Sequence, residues 1–215
     1  MAVYDLEEQE QISELKAWWE QYGKLVTTLA VAAALASVGW QGFQWYRSKQ
    51  ASEAGVLYFA VQQAAEHGDA QKAREAAGQL IEKYSGTGYA GMAALLSAGA
   101  QVSAGERKNA RAHLEWLADK GNDPALKDIA RLRLASVLLD EGAHDDALAR
   151  LQVEPVAALR PRFDDLRGDV LAASGKAPDA RAAYQRALDG IAQGGTDGGE
   201  TLREVVRVKL QSLEG

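Results

Sequence analysis

The sequence predicts an all-α protein: a single N-terminal transmembrane helix followed by an α-solenoid of helical hairpins. Three observations carry that reading. One uncharged stretch is long enough to cross a bilayer. Behind it, glycines recur at a nearly constant interval. Between those glycines the chain is Ala-rich and laced with charge, and no segment alternates apolar and polar residues as a half-buried strand would.

The uncharged stretch runs from Leu25 to Tyr46, with Lys24 and Arg47 bracketing it. A helix of about 22 residues, rising 1.5 Å each, spans the roughly 30 Å hydrocarbon core of a bilayer. Trp18, Trp19 and Tyr22 precede the run, and Trp40, Phe43, Trp45 and Tyr46 close it. Such rings favour the headgroup level, where one edge is wet and the other apolar. A buried core helix is the competing reading, since Thr27, Thr28, Ser37, Gln41 and Gln44 interrupt the apolar character. Length, bracketing cations and aromatic belts together favour the span. A cleaved signal peptide would want a basic leader. This leader is acidic, and the apolar run continues well past the Ala-x-Ala pattern at Ala34 to Ala36. No cleavage is expected. The chain thus divides into a tail over 1–24, a transmembrane helix over 25–46 and a soluble repeat domain over 47–215.

Of the 215 residues, 47% are hydrophobic and 25% charged, with a net charge of −6. The tail holds six acids against Lys16 and Lys24, which leaves a nearly neutral domain. With no basic block, nucleic acid is not an expected partner. Cysteine is absent, which excludes disulfides, thiolate metal sites and a cysteine nucleophile. Lys16 and Lys24 on one side of the span balance Arg47 and Lys49 on the other, so charge alone does not orient it.

Within the tail, residues 5–22 can form an amphipathic helix, with Ile12, Leu15, Trp18, Trp19 and Tyr22 at helical spacing and acids opposite. In the span, small residues such as Ala32, Ala36 and Gly39 share a face, a weak pattern in so Ala-rich a run.

Beyond Arg47 the repeat becomes visible. Gly68, Gly105, Gly142 and Gly175 are spaced by 37, 37 and 33 residues. Five residues after each stands an alanine: Ala73, Ala110, Ala147 and Ala180. Four further on come Ala77, Leu114, Leu151 and Tyr184, and twelve before the last three alanines stand Ala98, Ala135 and Gly168. Small residues mark where paired helices touch, glycine permits the tight turn, and the larger apolar residue fills the hole. This layout resembles the tetratricopeptide repeat, a hairpin of about 34 residues. The aromatic positions of its first helix and its closing proline are poorly matched.

The hairpins then pair 51–66 with 69–84, 89–103 with 106–119, 125–140 with 143–151, and 162–174 with 177–190. Asp123-Pro124 reads as a cap and first-turn pair. Pro155 and Pro161 punctuate an irregular connection. A Gly-rich loop over Gly194–Gly199 leads to a last, mostly apolar helix over 200–213, expected to cap the open end of the stack.

No catalytic cluster emerges. His67, His113 and His144 lack ligand spacing, and there is no nucleophile elbow, zinc-protease, P-loop or dinucleotide motif. No cofactor or metal is expected, and the protein is read as non-enzymatic. Repeats of this kind offer instead a concave groove lined by the first helix of each hairpin. Repeat phase assigns Tyr58 and Gln62, then Met92, Leu95, Gly99 and Val102, then Ile129, Leu132, Ser136 and Leu139, then Arg162, Asp165 and Asp169 to it. Met92, Leu95, Ile129, Leu132 and Leu139 are the candidate apolar groove for a partner helix or an unfolded segment. Burial of the same residues under neighbouring helices is the competing account. The Lys and Asn pattern that clamps a terminal carboxylate is absent.

The whole chain resembles the YfgM family, the ancillary subunit of the bacterial SecYEG translocon. The resemblance rests on the acidic, glutamine-containing start, Trp18-Trp19 and Tyr22-Gly23-Lys24, then Gly39-Trp40 and Trp45-Tyr46. Leu132-Arg133-Leu134-Ala135, Arg167-Gly168-Asp169 and Gly175-Lys176 continue it. It implies a single-pass protein of the bacterial inner membrane with a cytoplasmic N-terminus and a periplasmic repeat domain. It also implies association with SecYEG and with the membrane-anchored periplasmic chaperone PpiD, unfolded secretory proteins as clients, and, less directly, a role in envelope stress control. A repeat scaffold for another envelope process, such as division or outer-membrane assembly, is the alternative. A membrane-anchored enzyme is disfavoured.

Overall fold

The computed structural model describes the backbone of residues 3–194 and 199–213, with side chains from Gln11 onward. All regular structure among these residues is helical. The four inner residues of the Gly-rich loop and the side chains of Asp5, Glu7, Glu8 and Glu10 lie outside the described part. Two compact units divide the chain, Met1–Gln50 and Ala51–Gly215.

The first unit belongs to helix α1, which runs Val3–Glu66. The sequence reads as three helical pieces here, an amphipathic leader, a span and the first hairpin helix. The structure joins them, because no proline interrupts residues 3–66 and isolated glycines weaken a helix without ending it. Among the described residues α1 is the one helix long and apolar enough to cross a membrane. Leu29, Val31, Leu35, Val38 and Trp40 are all exposed, as lipid-facing residues must be. Thr27, Thr28 and Ser37 turn their hydroxyls back onto the carbonyls of Gly23, Lys24 and Ala33, which satisfies them without a partner from outside.

The second unit is a run of helical hairpins. Residues 51–66 of α1 pair with α2 (Ala70–Tyr84), α3 (Gly88–Ser103) with α4 (Arg107–Lys120), α5 (Pro124–Asp140) with α6 (His144–Arg150), and α7 (Arg160–Ala173) with α8 (Ala177–Ala192). Helix α9 (Gly199–Ser212) follows. The first four intra-hairpin turns share one geometry. Gly68, Gly105, Gly142 and Gly175 have φ of 71, 79, 76 and 74°. In each case the next residue's N–H bonds the carbonyl five back: Asp69 to Ala64, Glu106 to Gln101, Ala143 to Leu138, Lys176 to Leu171. That is the Schellman closure, and glycine occupies it because only glycine enters the left-handed region without cost.

The alanine markers lie where the hairpins touch. Ala73, Ala77, Ala110, Ala135, Ala147 and Ala180 are fully buried. The larger markers fill the space beside them, with Leu114, Leu151 and Tyr184 almost completely buried. One core cluster under α3–α7 gathers Leu114, Leu117, Leu134, Leu138, Leu151 and Phe163. Each such side chain contributes roughly 1.5–3 kcal/mol on burial. A smaller cluster around Val61 and Leu80 closes the first hairpin, and a third around Tyr184 and Val206 joins α8 to α9. Asp123 caps α5, accepting from Leu126 N at 2.9 Å.

The connection between α6 and α7 departs from the repeat. It contains one 3₁₀ turn over Ala157–Leu159. Asp128, 3% exposed, holds it by accepting from Val156 N at 2.8 Å while Arg131 neutralises its other oxygen at 2.8 Å. Arg167 adds a second brace to the Leu151 carbonyl.

Candidate protein-binding surface

The five groove candidates sit on α3 and α5. Met92 is half-buried. Ile129, Leu132 and Leu139 are partly buried and pack against the central core cluster. Leu95 is 8% exposed and belongs to that cluster. The set therefore grades from a core residue to partly accessible ones. Leu95 also backs an open cleft of about 450 Å³ between the end of α1, α3 and α5, lined further by Leu96, Gly99, Ser103 and Arg133. The other four candidates do not line it. Arg133 was missed by repeat phase. Its guanidinium crosses from α5 to donate to the Leu95 carbonyl at 2.9 Å, placing a cation in an otherwise apolar and small-residue wall.

The charged end of the inner face lies on α7. Lys209 of α9 bridges Asp165 and Asp169, with Nζ 2.8 Å from a carboxylate oxygen of each. Tyr184 donates its hydroxyl to the other Asp169 oxygen at 2.8 Å, and Lys209 lies 5.9 Å from the Tyr184 ring centroid. Burial raises the Asp165 pKa above the usual carboxylate value, against the pull of Lys209. Burial also opposes charge on Lys209, yet its pKa is raised, because two carboxylates face one ammonium. At Asp165 the pull of Lys209, with a smaller one from Arg162, does not offset burial and the like charge of Asp169. Burial, then Asp169, pushes the Tyr184 phenol well above its ordinary value, so it stays a donor.

A polar group also sits within the second hairpin, between α3 and α4. Gln101 donates to the Ser97 hydroxyl at 2.8 Å, and that hydroxyl lies 3.1 Å from His113 Nδ1. Ser97 and Gln101 are fully buried. Ser97 Oγ thus accepts from Gln101 and pairs with His113 Nδ1. Burial, then the charge of Arg74, lowers the His113 pKa. Among the described residues, no three His, Asp or Glu side chains gather as a metal site requires.

The fold and the inner face define a class: a single-span membrane protein carrying a tetratricopeptide-repeat-like solenoid. The model of the tetratricopeptide repeat-like domain family matches residues 16–215. Proteins named ancillary SecYEG translocon subunit are similar along nearly their whole length. That of Neisseria gonorrhoeae is 30% identical over 97% of this chain and 98% of its own. That of Haemophilus influenzae is 25% identical over 98% and 100%, and that of Escherichia coli 25% over 99% and 99%. The chain belongs to this YfgM family of ancillary translocon subunits.

Proposed function

We propose that this chain is a non-enzymatic ancillary subunit of the SecYEG translocon, linking emerging secretory chains to the periplasmic chaperone network with PpiD as its partner. In this reading residues 1–24 are a cytoplasmic tail, 25–46 cross the inner membrane, and 47–215 form the periplasmic domain. The observation that carries it is the near full-length similarity to proteins named ancillary SecYEG translocon subunit. The apolar inner face built by Met92, Leu95, Ile129, Leu132 and Leu139 is the surface proposed to hold a partner helix or an unfolded client. Half-buried leucine and methionine side chains suit varied partners, since they repack at little cost.

The test pairs stability with capture. Leu132→Ser, at a partly buried position, is expected to leave thermal unfolding close to wild type. It is expected to weaken crosslinking to SecYEG, PpiD or a translocating chain. Leu134→Ser, in the core, should melt early, as truncating a buried Leu costs about 2–5 kcal/mol. Wild-type crosslinking by a stable Leu132→Ser chain would remove the groove, and a mild-detergent purification without SecYEG would remove the translocon role itself.

A further inference from the structure

We propose that α9 is a detachable internal ligand of the fourth hairpin, and that the surface it covers on α7 and α8 is a docking site for a lysine-bearing amphipathic helix of a partner protein. This rests on the α9 contacts alone and stands apart from the apolar groove proposed above.

The first argument is position. Asp165 and Asp169 occupy the phase that in each hairpin faces the inner surface, and the cation that bridges the two comes from α9 rather than from within the hairpin. The second is chemistry. The site has the parts that select one primary ammonium: two carboxylates at 2.8 Å, a tyrosine hydroxyl that fixes one of them, and the face of the same ring near the charge. Beside it lies an apolar strip around Ala180, Tyr184 and Ala187, which receives Val206 flanked by Leu202, Leu210 and Leu213. A helix with apolar residues at that spacing and one lysine next to them is what the surface reads.

The third argument is how lightly α9 is held. Of its 14 residues only Val206 is buried, whereas α8, with 16, buries five. Val205 and Val208 on its outer side are exposed. Elements with few buried side chains open at lower free energy than the fold as a whole. A permanent terminal cap and a replaceable ligand differ in this respect.

The experiment uses the full chain in detergent micelles. Hydrogen exchange should show the α9 amides opening at least about tenfold faster than those of α8. Lys209→Met, which keeps the apolar stem, should speed α9 further and leave α8 unchanged. A synthetic peptide of residues 199–213 carrying a photo-crosslinker should then label α7 and α8 in trans, more strongly on the Lys209→Met chain than on wild type. The same peptide with Lys209→Met should label about tenfold less, the scale of losing a charge-assisted bond. Amides of α9 protected as long as those of α8 would make it a fixed cap and overturn the proposal. Fast opening with no peptide labelling would overturn it equally, since the uncovered surface would then dock nothing.

Discussion

His113 shows what a single side chain adds. Its ring lies 3.1 Å from the Ser97 hydroxyl, which Gln101 already engages, and burial lowers its pKa. The unfolded imidazole takes its proton near pH ~6.5. The folded ring resists until lower pH, so between the two values the unfolded chain binds more protons. The stability that His113 contributes is full above pH ~6.5 and falls as pH drops through it toward the folded pKa. Each unit of depression corresponds to about 1.4 kcal/mol. Thermal unfolding of wild type and His113→Gln at pH 7.5 and 5.5 checks this: wild type should lose more on acidification than the variant, and parallel losses would rule out His113 as the source. The sequence shows His113 only as a histidine without ligand spacing. Its partner Ser97 lies 16 residues away on α3, and nothing in local spacing announces it. Arg133 and Lys209 escaped for the same reason, since their partners lie 38, 40 and 44 residues off.

The helices were far more legible, because the signals that set them are local. A glycine at each turn and an alanine five residues later fix register without knowledge of the neighbour, and the observed hairpins fall within a few residues of the expected limits. Gly168 makes the register testable. A Cβ there would lie 2.4 Å from Tyr184 Cε1, and that ring is 3% exposed and tied to Asp169. Gly168→Ala should therefore destabilise by about 1–3 kcal/mol through overpacking. Gly99, also inside a first helix, has nothing within 4 Å of such a Cβ. Gly99→Ala should be neutral or gain up to about 1 kcal/mol from helix propensity. Urea unfolding of the two variants checks the pair, and changes of one sign would mean that α7 and α8 do not meet at this glycine. The joining of leader, span and first hairpin helix was not legible, since an uninterrupted helix leaves no punctuation to mark where its uses change.

For the molecule as a whole, the uncharged run and the hairpin period together gave the architecture, while direction across the membrane came only from family resemblance. Protease added to spheroplasts should digest residues beyond about Gln50 and leave the leader intact, as followed by tags at each terminus. A protected repeat domain would reverse the proposed topology. The binding surface was partly legible. Repeat phase placed Leu95 and Leu132 on neighbouring first helices, but whether a side chain so placed is core or accessible depends on what packs over it. Leu95 at 8% exposure and the half-buried Leu132 answer that differently at equivalent positions.

The four glycine turns have one more consequence. Because the four share one left-handed backbone conformation, a side chain added at any of them meets the same strain even where space is open. The Leu151–Leu159 connection is a splice of another kind. Asp128 and Arg167 brace it with charged side chains where the turns rely on a left-handed backbone. Its course is set by side chains on α5 and α7, 28 and 16 residues from the backbone groups they hold, so a change on either helix would be felt in the connection.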